Sequence, residues 1–122
     1  MKILVVEDAD VRREWFTTRF AADELHLTDS AAEAIAWLDE HNYDIIFLDH
    51  DLMPHHSGFD DDGTSGYEVA KHIKECFRPR VVVHSQNIFG AIRMAEFLRG
   101  RGLPVESIPF PFLADVFSDA PA

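Results

Sequence analysis

Side chains able to bind metal, carry protons or attack phosphorus gather in three short clusters. These are Glu7 with Asp8, then Asp49, His50 and Asp51, then His84 with Ser85. Each cluster follows an apolar run: ILVV at 3–6, IIFL at 45–48, VVV at 81–83. Carboxylates brought within a few ångströms repel one another, and a divalent cation relieves that repulsion. Hard carboxylate oxygens suit Mg²⁺, which keeps some waters and completes its shell with phosphate oxygens. Such a pocket invites phosphoryl chemistry, with the metal neutralising phosphate charge and a carboxylate such as Asp49 acting as nucleophile. The expected ligand is a phosphoryl donor or a phosphate-containing small molecule.

Elements must bring these clusters together. ILVV, DIIFL at 44–48 and VVV read as short, fully buried strands. Leu25, Leu27 and Thr28 suit another strand, and 103–108 a weak last one. The spacing of Val11, Trp15, Phe16 and Phe20 predicts a helix over 10–22. Ser30 with Glu33 and Ser65 with Glu68 are capping boxes that open two more helices, the second burying Val69, Ala70, Ile73 and Phe77. Asn87 caps a fourth helix whose buried face is Ile88, Ala91, Ile92, Ala95 and Leu98, closed by Gly100 or Gly102. Alternating strands and helices predict a parallel sheet covered on both faces. Ligands bind such sheets at the carboxyl ends of the strands, so the three clusters are expected to meet at one edge.

With 122 residues, 47% of them hydrophobic, the chain can form one domain over 1–122 with a sizeable core. Its 22 acids outnumber 11 bases, giving a formal charge of −11. That argues against general nucleic-acid binding, which needs a basic footprint. A metal-bound phosphate ligand stays compatible, because the cation reverses the local sign. A lone cysteine, Cys76, forms no internal disulfide. The first residues are apolar too briefly for a signal peptide or a membrane span. A cytoplasmic location is expected.

Glu7 and Asp8 after ILVV, YDIIFLD over 43–49, GYE over 66–68 and PRVVVHS over 79–85 resemble a response-regulator receiver domain along nearly the whole chain. The resemblance implies a flavodoxin-like fold with strand order 2-1-3-4-5. It implies Glu7, Asp8, Asp49 and Asp51 as the Mg²⁺ site, Asp51 at the family's carbonyl position, and Asp49 as phosphoacceptor. It also sets out departures. The family's Ser/Thr position falls on His84, with Ser85 one step later, and either could face the phosphate. Ile108 stands where the family has lysine. Seventeen positions separate Asp49 from Gly66, which marks a long loop after the third strand, and the final helix is reduced. LDHDL and VHSQN with the following Gly-Ala resemble a divergent receiver branch proposed, on sequence grounds, to process cyclic phosphates.

Three functions follow as expectations. The first is a stand-alone signalling receiver phosphorylated on Asp49, with His84 or Ser85 touching the phosphate, that docks to a partner. The second is a metal-dependent phosphoesterase acting on cyclic phosphates, in which His50 and His84, titrating near neutrality, move protons. The third is an unphosphorylated interaction module, with Phe110, Phe112, Leu113 and Phe117 as a partner or homodimer patch. Plainer roles stand beside these. Glu7 and Asp8 suit the positive end of a helix, Asn87 reads as a cap before a ligand, and His55, His56 and Asp60 to Asp62 read as a solvated loop.

Overall fold

The computed structural model describes residues 1–52, 65–74 and 78–117. His55, His56, Asp60 to Asp62, Cys76 and Phe77 lie outside the described residues. The elements are β1 (Lys2–Val6), α1 (Asp10–Arg19), β2 (Glu24–Thr28), α2 (Ala31–Glu40), β3 (Ile45–Leu48), α3 (Gly66–Ala70), β4 (Arg80–Val83), α4 (Ile88–Gly100), β5 (Val105–Ser107), a 3₁₀ turn (Phe110–Phe112) and α5 (Leu113–Val116). All strands are parallel, in the order β2-β1-β3-β4-β5, as the sequence led us to expect.

The core has two apolar layers because successive strand residues point to opposite faces. Leu4, Val6, Ile46, Leu48, Val81 and Val83 join α2, α3 and α4 on one face. Ile3, Val5, Phe47 and Val82 meet Phe16, Phe20, Leu113 and Phe117 on the other. Each fully buried large side chain contributes about 1.5–3 kcal/mol. No helix among the described residues is long and apolar enough to cross a membrane.

The helix signals held unevenly. Ser30 accepts from the Glu33 amide and opens α2, but its own amide donates to Thr28 Oγ1, so only half of the expected capping box forms. Ser65 makes no such side-chain cap, and α3 ends at Ala70. Its backbone carbonyl instead accepts from the Glu68 amide. Val11 is 78% exposed, so the buried face of α1 begins only at Trp15 and Phe16. On α4, Ala91, Ala95 and Leu98 are buried as expected, but Ile88 and Ile92 face out while Gly90 and Met94 face in. The reason is close packing at the start of α4, where Gly90 meets a ring from β3's end. Leu98 accepts from the Leu103 amide and Arg99 from that of Gly102, whose φ is +81°, so a Schellman turn closes α4.

Asn87 caps α4 as predicted, its Oδ1 accepting from the Gly90 amide at 3.0 Å. Asn87→Ala is expected to cost about 1 kcal/mol in urea denaturation. Asn87→Asp, which keeps the acceptor, should retain most of the capping term.

Candidate functional site

The register of the sheet builds the site. Val6 pairs with Leu48, and Leu48 with Val83, so β1, β3 and β4 end level with one another. The next residues are Glu7, Asp49 and His84. Their amides continue the ladder: Glu7 donates to Thr28, Asp49 to Val6 and His84 to Leu48, at 2.9, 3.1 and 3.0 Å. Alternation puts all three side chains on the face that carries Phe16 and Phe47. Their ligating atoms lie within 4.8 Å of one another.

Glu7 and His84 are both wholly buried and joined, His84 Nε2 to Glu7 Oε1 at 3.0 Å. An ionised carboxylate only accepts, so Nε2 carries the proton. His84 Nδ1 has no hydrogen-bond partner among the described residues. The ring lies 5.3 and 6.4 Å from the Phe16 and Phe47 rings. Glu7 Oε2 accepts the amides of Asp8 and Ala9 at 2.9 and 3.1 Å, both ahead of α1, which opens at Ala9 with no side-chain cap, so the capping role expected for the acid pair is not the one seen. Burial pushes the Glu7 carboxyl up. The His84 hydrogen bond and charge, with the Ala9 and Asp8 contacts, more than offset that and hold it at about 2.

Asp49 has the opposite fate. Burial first, then the adjacent Glu7, push its carboxyl up to about 8 against a hydrogen bond from Ser85. Two acids forced together are what a cation would relieve, and the donor set therefore fits a divalent ion. Carboxylate oxygens suit Mg²⁺.

His50 goes to the other face. It is wholly buried, and a Cβ on Gly90 would run into its ring. Its Nδ1 lies 2.9 Å from Asp51 Oδ1. Asn87 Nδ2 donates to the same Asp51 oxygen at 3.1 Å. Gly66 packs directly on the Asp49 carbonyl and donates its amide to His50 O at 2.8 Å.

Above these residues opens a cleft of about 270 Å³, lined by Asp8, Asp49, Asp51 and Ser85 among others. His50 and His84, expected to move protons on a ligand, are both wholly buried. Neither lines the cleft; each stands behind a carboxylate and holds it. Ser85 is on the cleft wall beside Asp49, while His84 is wholly buried beneath it. Ile108 packs on the Phe16 layer. The expected C-terminal patch is also corrected: Leu113 and Phe117 are core residues, Phe110 is half-buried on Trp15 and Phe16, and of the four only Phe112 is exposed. The short α5 folds back so that Phe117 meets Phe47 and Phe20.

Two polar cleft residues, Arg12 and Gln86, are not among the site residues expected from the sequence. Arg12 Nη2 donates to Gln86 Oε1 at 2.9 Å. Its Nη1 stands 3.6 Å from Glu7 Oε1 and 3.9 Å from Asp49 Oδ2. The available signal was positional: a basic residue in the first turn of the helix that follows the acid pair.

The fold and site define a receiver domain. A family model described as the cyclic-phosphate processing receiver domain matches residues 2–100. The chain belongs to that family. Among solved structures it is similar to the N-terminal domain of the uncharacterized protein WS1339 from Wolinella succinogenes, at 24% identity and TM-score 0.66, covering 98% of this chain and 91% of that one. It is also similar to NtrX from Brucella abortus, at 26% identity and TM-score 0.65, covering 95% of this chain but 25% of that one. The receiver domain of sensor histidine kinase PA1611 from Pseudomonas aeruginosa PAO1, solved with magnesium in its active site cleft, matches at 17% identity and TM-score 0.62, covering 95% and 93%. No curated protein matches.

Proposed function

We propose that Asp49 accepts a phosphoryl group in this cleft and that a cyclic phosphate supplies it. The observation that carries the reading is the convergence of Glu7, Asp49 and Ser85 beneath an open cleft walled by Asp8 and Asp51. Glu7, Asp8, Asp49 and Asp51 would hold a divalent cation, and the magnesium in the Pseudomonas domain's cleft supports Mg²⁺ here. When bound, it supplies charge neutralisation for the phosphate oxygens.

The chain's own residues do the rest. His84 fixes Glu7, and His50 with Asn87 fixes Asp51, so the acids keep their positions without reaching the ligand through an imidazole. An Asp49 oxygen attacks phosphorus and the ring P–O ester bond breaks. The released ester oxygen takes a proton from solvent at the open mouth. Water then attacks phosphorus, the Asp49–phosphorus bond breaks, and the carboxylate is restored. The product is the ring-opened phosphate monoester. Ser85, beside Asp49, donates to the oxygens of the group being transferred.

The Asp49–Ser85 pairing also favours a second reading, a signalling receiver phosphorylated by a protein or small phosphoryl donor and read by a partner. The two differ in the fate of the label. With Mg²⁺ and a panel of 2′,3′- and 3′,5′-cyclic nucleotides, ³¹P NMR is expected to show ring opening that Asp49→Asn abolishes. Stable labelling from a small donor, with every cyclic phosphate left intact, would favour the signalling reading instead.

A further inference from the structure

We infer that Arg12 is the residue that grips the phosphoryl oxygens of the cleft's ligand. This rests on the phosphoryl-handling reading above and names a residue that the reading does not use. Asp8 and Asp51, joined by Asp49 once a cation ionises it, give the cleft wall its negative charge, and Arg12 is the single basic side chain among the described lining residues. The rest of the lining is acidic or neutral, so Arg12 carries the one positive charge there that a phosphate group can meet.

The guanidinium is held ready. Nη2 is tied to Gln86 Oε1 at 2.9 Å, and the group lies 5.3 Å above the Phe110 ring. Nη1 faces Glu7 and Asp49 at 3.6 and 3.9 Å, which is ion-pair range but longer than a hydrogen bond. The acids therefore attract Arg12 without taking its N–H groups. Those donors point at the floor from which Asp49 would attack, and a phosphoryl group seated over Asp49 would lie within their reach. A planar fork of N–H groups matches phosphate oxygens, and a fork already fixed by Gln86 and Phe110 loses little freedom on binding.

The competing role is a plain counter-ion for Glu7 and Asp49. The two roles part when cation and anion are titrated separately. The full chain is titrated calorimetrically with Mg²⁺ alone and then with orthophosphate at saturating Mg²⁺. As a grip on phosphate, Arg12→Gln weakens orthophosphate binding about ten- to hundredfold, leaves Mg²⁺ affinity unchanged or tighter, and Arg12→Lys falls between. The side chain is 22% exposed, and a thermal melt confirms that the variants fold. Orthophosphate affinity within twofold of wild type in Arg12→Gln overturns the proposal, as does a wild type that takes up no orthophosphate. If Asp49→Asn binds Mg²⁺ like wild type, the site assignment fails by itself, and the Arg12→Gln result still decides the role of Arg12.

Discussion

Asp49→Asn is expected to raise the melting temperature of the metal-free protein by about 10 °C at pH 7, while abolishing phosphoryl transfer. Burial and the neighbouring Glu7 move the Asp49 carboxyl from an ordinary 3.8 to about 8. At pH 7 the folded chain must therefore hold a proton that the unfolded chain has released. The folded value lies above the unfolded one, so its contribution is fully present below about pH 4. It is lost as pH rises toward about 8. At 1.36 kcal/mol per pKa unit, holding that proton at pH 7 costs up to about 4 kcal/mol. Asparagine needs no proton and fits the same space, so we expect a gain of about 2–4 kcal/mol, or about 10 °C for a domain of this size.

Glu7 works in the opposite sense. Its folded value of about 2 lies below the ordinary 4.5, so its contribution is present above about 4.5 and lost as pH falls toward 2. Metal-free stability should peak near pH 4–5 and decline on the alkaline side, and Asp49→Asn should flatten that decline. Mg²⁺ favours the ionised carboxyl and should stabilise the wild type most near pH 8. Scanning calorimetry from pH 3 to pH 9, with and without Mg²⁺, measures each of these. A variant no more stable than wild type at pH 7 would contradict the electrostatic account.

Gly66→Ala is expected to cost about 3 kcal/mol or more and to disable the site. A Cβ at Gly66 would lie closer than 3.0 Å to the Asp49 carbonyl oxygen and 2.8 Å from its carbon. Both atoms are backbone, so relief means moving either the end of β3 or the start of α3. The Gly66 amide also holds His50 O, so movement there uncouples both residues that flank the cleft floor. Overpacking of this kind usually costs 1–3 kcal/mol, and a backbone obstacle puts it at the upper end. At Gly90 an added Cβ meets the His50 ring instead, and a side chain can yield where a backbone cannot. Urea denaturation of the two variants side by side should rank Gly66→Ala as the more damaging. A Gly66→Ala chain as stable as wild type would show that this packing is not tight.

The fold was legible because its strands are continuous apolar runs that end abruptly in acids, and its helices carry caps at Ser30 and Asn87. That much placed Glu7, Asp49 and His84 at one edge. Which of His84 and Ser85 lines the cleft was also latent in the sequence, since alternation along β4 sends successive side chains to opposite faces. It needed the register of β3 against β4 to become readable. Ile88 and Ile92 were misplaced because hydrophobicity suggests which residues could be buried, while the roll of α4 is set by Gly90 closing on His50. Val11 was misplaced because a helical spacing says nothing about where the neighbouring layer stops. Arg12 was passed over because a basic residue on a helix is ordinarily solvated; only the cleft geometry puts it over Phe110 and beside Asp49. The C-terminal aromatics read as a patch because a four-residue helix gives no periodicity to show which way it faces.

The central claim is that Asp49 forms a covalent bond to the phosphorus of a cyclic phosphate. Rapid acid quench of the full chain mixed with Mg²⁺ and the cyclic nucleotide that turns over best, followed by intact mass and peptide mapping, tests it directly. We predict a transient species heavier by the mass of the intact nucleotide, mapped to Asp49 and absent from Asp49→Asn. Ring opening without any such species, or persisting in Asp49→Asn, would contradict it.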